Sequence, residues 1–206
     1  MWRKTLSASL PLSALALFLC FMSCASPSSS HLHNTPSHSI RNRAVTDLYI
    51  RSFNSLIAGR TESALVDARA CLIVDSSYAV HLLVAKCFQQ LIVVDSAIVY
   101  AANSVRLNDS CFECRSVLGD LLLSRNANCA AADVFATLAQ YDPSPQTSFR
   151  QASALAGCTP EKAAPILESL YEQTQDVHVL LELLSLYEAL GRTDELYSTL
   201  DRCIHN

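Results

Sequence analysis

An all-α fold of about five stacked helical hairpins is what the sequence predicts, and three observations predict it. The 206 residues are 50% hydrophobic with only 4 glycines, and low glycine with many Ala and Leu favours helix. From about residue 44 apolar residues recur at helical spacing, and small or apolar positions return at a fixed period. Ala64, Ala97, Ala131, Ala163 and Leu196 stand 33, 34, 32 and 33 residues apart. Finally, Gly59-Arg60-Thr61-Glu62 returns as Gly191-Arg192-Thr193-Asp194, 132 residues later, or four periods of 33. In each copy Gly is expected to end one helix and Thr to cap the next. Helices of about 12 to 15 residues are marginal alone and must stack to persist.

The chain opens on an export signal, residues 1–23. Arg3 and Lys4 supply its positive charge, and Leu10 to Met22 is its apolar stretch. That stretch of about 13 residues is short of the ~20 that a membrane-spanning helix needs. The junction Phe21-Met22-Ser23-Cys24 resembles a bacterial lipoprotein signal, with small Ser23 before the cysteine and Phe21 where that family usually has Leu. The resemblance implies lipidation of Cys24 and a lipid anchor to a periplasm-facing membrane. The alternative is cleavage after Ala25, which would leave a soluble secreted or periplasmic protein. Residues 24–43 read as a flexible Ser/Pro/His-rich tether. His31, His33 and His38 have no acidic or cysteine companion there, so the tether reads as a solvated linker and not as a metal site.

Residues 44–206 form the repeat domain, with hairpins expected at 44–76, 77–109, 110–143, 144–175 and 176–206. In the first, Ala64-x-x-x-Ala68 is clear, but Arg51-Ser52-x-x-Ser55 stands where a small and an aromatic residue should. The second carries Val84-Ala85-x-x-Phe88 and Ala97-x-x-x-Ala101. The third reads Leu118-Gly119-x-x-Leu122, Ala131-x-x-x-Phe135-x-x-Leu138 and Pro143. Gly119 and Ala131 are small enough for close helix approach, Phe135 fills the gap between hairpins, and Pro143 ends the unit. In the fourth, Thr159-Pro160 is a cap and first-turn pair, and Pro165 should kink or delay the helix. The fifth ends on Leu196-x-x-x-Leu200.

These motifs resemble the tetratricopeptide repeat (TPR) pattern L-G-x-x-Y, A-x-x-x-F and terminal P, with Arg115 where the family opens on an aromatic. The resemblance implies a right-handed solenoid in which the first helix of each hairpin lines a concave groove. In that register the groove presents Lys86, Gln89, Gln90, Glu113, Asp120, Arg150, Glu182 and Glu188, with Tyr49, Phe53, Leu82, Val117 and Phe149 as apolar members. Ala64, Ala97, Gly119, Ala131, Phe135 and Ala163 are the packing positions. Lys86 and Arg150 lie two repeats apart, which does not suit a carboxylate clamp.

Seven of the nine cysteines lie in the repeats. Cys71 and Cys203 fall seven residues after the small position of their units and read as core residues. Cys129 and Cys158 fall at the same end of adjacent hairpins, within geometric reach of a disulfide. Cys111-Phe112-Glu113-Cys114 has the C-x-x-C spacing of thiol redox sites. No strand precedes it, and one such pair is a poor zinc set, so hairpin-end packing or a local disulfide is the expected role.

No phosphate loop, G-x-S-x-G or H-E-x-x-H motif occurs, so no enzyme, catalytic residue, metal or cofactor is expected. The net charge is −4. Losing Arg3 and Lys4 with the leader would leave 13 basic against 19 acidic residues, which does not suit nucleic acid. The expected function is a non-enzymatic interaction scaffold of the bacterial cell envelope, binding a peptide or envelope protein in its groove. It resembles small TPR lipoproteins of outer-membrane assembly, pilus assembly or periplasmic solute capture. Two alternatives stand beside it. One is small-molecule or lipid binding within the stack, motivated by Tyr49, Phe53, Leu56 and Ile57. The other is a redox role for Cys111 and Cys114.

Overall fold

The computed structural model describes residues 36–205, with side chains over 43–203. The leader, Cys24 and most of the tether lie outside the described residues. The chain divides into two units, 1–39 and 40–206, and the second holds the repeats. Ten helices make five hairpins: α1 (Pro36–Ile57) with α2 (Thr61–Val74), α3 (Tyr78–Gln90) with α4 (Val94–Leu107), α5 (Phe112–Ser124) with α6 (Asn128–Tyr141), α7 (Pro145–Ala156) with α8 (Pro160–Thr174), and α9 (Val177–Leu190) with α10 (Thr193–His205). Among the described residues there is no strand. The tether was expected to run to residue 43, but α1 begins at Pro36. Proline has a preset φ and no N–H to leave unpaired, so it suits a first helical position.

The period is visible in the packing. Ala64, Ala97, Ala131 and Ala163 are all fully buried, as are Ser52, Ala85 and Ala152 at the position of Gly119. Ser52 therefore fills the small position that looked broken in the sequence, and its hydroxyl donates to the Ala64 carbonyl at 2.7 Å. Phe135 is buried in a cluster with Ala131, Leu138 and, from the next hairpin, Ala154. Its ring lies where a Cβ on Gly119 would stand, 2.5 to 2.9 Å away.

Four of the five hairpin turns share one hydrogen-bond scheme. Gly59, Ile92, Asn126 and Gly191 have φ of 74°, 61°, 56° and 67°. Each donates its N–H to the carbonyl three residues back, and the next residue donates to the carbonyl five back, as in Ile92 to Gln89 at 3.0 Å and Val93 to Phe88 at 2.9 Å. This is the Schellman closure of a helix. The expected threonine cap at Thr61 is not made. Thr61 is the first residue of α2, no side chain caps that helix, and the Thr61 hydroxyl instead donates to Gln90 of the next hairpin at 2.8 Å.

The fourth hairpin departs. Gly157 stays right-handed at φ −87°, and Thr159 makes no side-chain cap. Pro165 neither delays nor ends α8, which runs unbroken from Pro160. The proline is exposed, so the Glu161 carbonyl it leaves unpaired faces the solvent side of the helix. Cys71 is fully buried as expected. Cys203 is only half-buried.

Candidate interaction surface

The first helices of neighbouring hairpins touch directly, α3 on α5 and α7 on α9. They share one face, and its charges pair across repeats. Lys86 on α3 forms an ion pair with Glu113 on α5. Arg150 on α7 lies 3.6 Å from the Asp120 carboxylate on α5 and donates to the Ser116 hydroxyl at 2.6 Å. Tyr49 on α1 packs against the cluster of Leu56, Leu83 and Val84. Burial pushes its phenol above the ordinary value, and the Glu113 carboxylate is the next cause. Burial likewise raises the Asp120 carboxyl, with Arg150 opposing. The structure thus brings together Lys86, Glu113, Asp120 and Arg150.

The other sequence candidates take no part in these ion pairs. Gln89 is exposed beside Lys86. Gln90 is turned to the hairpin end by its bond from Thr61. Glu182 and Glu188 lie on α9 and take no part in the ion pairs among the described residues. Of the apolar members, Leu82 is buried, and Tyr49 and Phe53 have parallel rings 6.5 Å apart with Phe53 40% exposed. Leu56 is buried and Ile57 is 70% exposed. Phe149 lines a cleft of ≈ 280 Å³ with Pro145, Gln146, Leu170 and Val179.

Two polar groupings escaped the sequence reading. Arg51 grips Asp67 through two bonds of 2.6 and 2.7 Å. At the C-terminal end, Tyr187 donates to Glu168 at 2.6 Å under the Arg192 guanidinium, 5.0 Å from its ring. Burial, then the bond to Glu168, pushes the Tyr187 phenol up to about 12. Arg192 belongs to the duplicated turn, so that signal was present but was read only for backbone. The register of Ser116 at the Tyr49 and Phe149 position could have marked it as the partner of Arg150.

Both cysteine pairs are bonded. Cys129 joins Cys158 with Cα atoms 5.2 Å apart, and Cys111 joins Cys114 at 5.3 Å. Among the described residues no three His, Cys, Asp or Glu side chains are grouped to hold a metal, and no helix is long and apolar enough to cross a membrane.

No protein-family model and no curated sequence matches the chain. Solved structures do match. A MamA crystal structure superposes with a TM-score of 0.72 at 15% identity, covering 80% of this chain and 92% of that one. MamA residues 41 to the end from Desulfovibrio magneticus RS-1 gives 0.69 at 14%, covering 79% and 92%. MamA MSR-1 gives 0.68 at 18%, covering 81% and 96%. These neighbours are TPR-like all-helical solenoids, and this chain has that fold.

Proposed function

From a TPR-like solenoid as premise, we propose that the chain is a non-enzymatic scaffold that binds a peptide or partner protein along the face shared by its first helices. The observation that supports this reading is the ion-paired wall across three hairpins, with part-exposed aromatic residues beside it. Pairing Lys86 with Glu113 and Arg150 with Asp120 holds these long side chains in place before binding. A preorganised surface loses less side-chain freedom on association. Exposed Phe53 and Ile57 at one end and Phe149 at the other supply apolar anchors. The cleft beside Phe149, at ≈ 280 Å³, has room for one or two side chains of a bound peptide.

The lipoprotein-like junction at Cys24 supports a place in the cell envelope, with the repeats facing the periplasm. Palmitate labelling tests that part, and label retained by Cys24→Ala refutes it. A photo-crosslinking residue at Gln89, on the shared face, tests the groove against one at Val66, exposed on α2. Discrete adducts from position 89 and none from 66 are expected. The reverse pattern rejects the groove.

A further inference from the structure

Three first helices begin on an oxygen-bearing residue: Ser77 for α3, Ser144 for α7 and Asp176 for α9. The same repeat position before α5 holds Cys111. Oxygen acceptors are the favoured caps, so helix formation does not call for sulfur here. Three residues on, Cys114 takes the buried position held by Val80, Thr147 and Val179 in the other repeats. The two departures from the repeat are bonded to each other. They also differ in exposure: Cys111 is half-buried and Cys114 is fully buried. The Cys114 N–H donates to the Cys111 sulfur at 3.2 Å. Arg115 folds back over the same turn, its Nε donating to the Asp109 carbonyl at 2.8 Å.

We propose that Cys111 and Cys114 form a thiol–disulfide exchange site that reacts with an external dithiol, with Cys111 as the sulfur attacked. A thiolate of the dithiol adds to the Cys111 sulfur. The Cys111–Cys114 bond breaks, and Cys114 leaves as a thiolate and takes a proton. The second thiol of the reductant, deprotonated, then attacks the reductant's own sulfur in the mixed disulfide and releases Cys111 as a thiolate. The reductant departs as a disulfide, and the protein has gained two electrons, with one proton on Cys114 and Cys111 left as a thiolate. The N-terminal amides of α5 and the Arg115 charge stabilise that thiolate. The first turn of α5, between the cysteines, carries Glu113, the partner of Lys86, so the exchange site lies at the rim of the shared face. Cys129–Cys158 is of another kind, because it ties α6 to the turn between α7 and α8 across a sequence separation of 29. Reducing it would remove the covalent tie between two repeats.

The oxidised full chain is titrated with dithiothreitol, quenched in acid and alkylated, and each pair is mapped by mass spectrometry. Cys111–Cys114 is expected to open at a dithiothreitol concentration at least tenfold below that for Cys129–Cys158, with far-ultraviolet dichroism unchanged. Simultaneous opening, the reverse order, or loss of helix as Cys111–Cys114 opens overturns the proposal. With oxidised glutathione, Cys114→Ser is expected to form at least tenfold more mixed disulfide than Cys111→Ser, and the opposite preference overturns it. A parallel titration uses reduced thioredoxin. Opening by both reagents assigns a protein dithiol as partner and opening by dithiothreitol alone assigns a small one, whereas opening by neither overturns the site.

Discussion

Ile92 should be replaceable by glycine with a gain in stability. Its backbone is left-handed, at φ 61°, a conformation that costs an L-residue roughly 1–2 kcal/mol and a β-branched one most of all. The turn imposes it, because the N–H groups of Ile92 and Val93 must reach the Gln89 and Phe88 carbonyls. The side chain returns little, being 82% exposed. Glycine removes the strain but loses about 0.5–1 kcal/mol of backbone freedom on folding. The net expectation for Ile92→Gly is stabilisation of about 0.5–1 kcal/mol. Ile92→Asn, which copies Asn126 in the next turn, should also stabilise without glycine's entropy cost. For a domain of this size 1 kcal/mol moves Tm by roughly 2–4 °C. Urea unfolding followed by dichroism, with unchanged m-value, is the assay. The argument fails if both substitutions lower the midpoint, since that would mean Ile92 contributes packing that its exposure denies.

Gly119→Ala is expected to destabilise. The helix-propensity gain of about 1 kcal/mol is outweighed by the Phe135 ring, 2.5 Å from the new methyl and fully buried, where overpacking costs typically 1–3 kcal/mol. Combined with Phe135→Leu the penalty should be less than additive, and a thermal melt showing full additivity would refute the contact. Burial pushes the Cys87 thiol up to about 11 and raises Cys71. Neither should react with iodoacetamide at pH 8 until urea unfolds the chain, whereas half-buried Cys203 should react in the native protein. Arg51 holds the Asp67 carboxyl below its ordinary value of 3.8. The stability from this pair is therefore fully present above that value and lost as pH falls through the lower folded one. Tm of wild type and Asp67→Asn should differ at pH 6 and converge near pH 2; parallel curves would show that the pair adds nothing.

The repeat was legible because packing enforces it: a large side chain at Ala64, Ala97, Ala131 or Ala163 would hold its two helices apart. Ser52 was misread as a break because the pattern asks for an apolar type, while the site requires only small size and a partner for the hydroxyl. The turns were legible only where they carry glycine. Ile92 and Asn126 adopt the same conformation because the flanking helices are fixed by the core, so tertiary packing overrides residue preference. Gly157 keeps a right-handed backbone, in the one turn whose next residue, Cys158, is bonded to another hairpin. The pairing of Lys86 with Glu113 and of Arg150 with Asp120 was not legible, since these residues meet only once the first helices align. Thr61, read as a cap, instead points across to Gln90 of the next hairpin.

A solenoid holds together through contacts between neighbours, and its end units can peel away one at a time. The Cys129–Cys158 bond interrupts that freedom at one joint. Under mechanical pull or slow heating, the third and fourth hairpins can part from the stack only together. The domain therefore has three separable pieces on one side of the staple or the other: the first two hairpins, the bonded middle pair, and the last hairpin held by the Tyr187, Glu168 and Arg192 cluster. A protease acting on the partly opened chain would release fragments bounded by the stapled pair and leave that pair as its most persistent product.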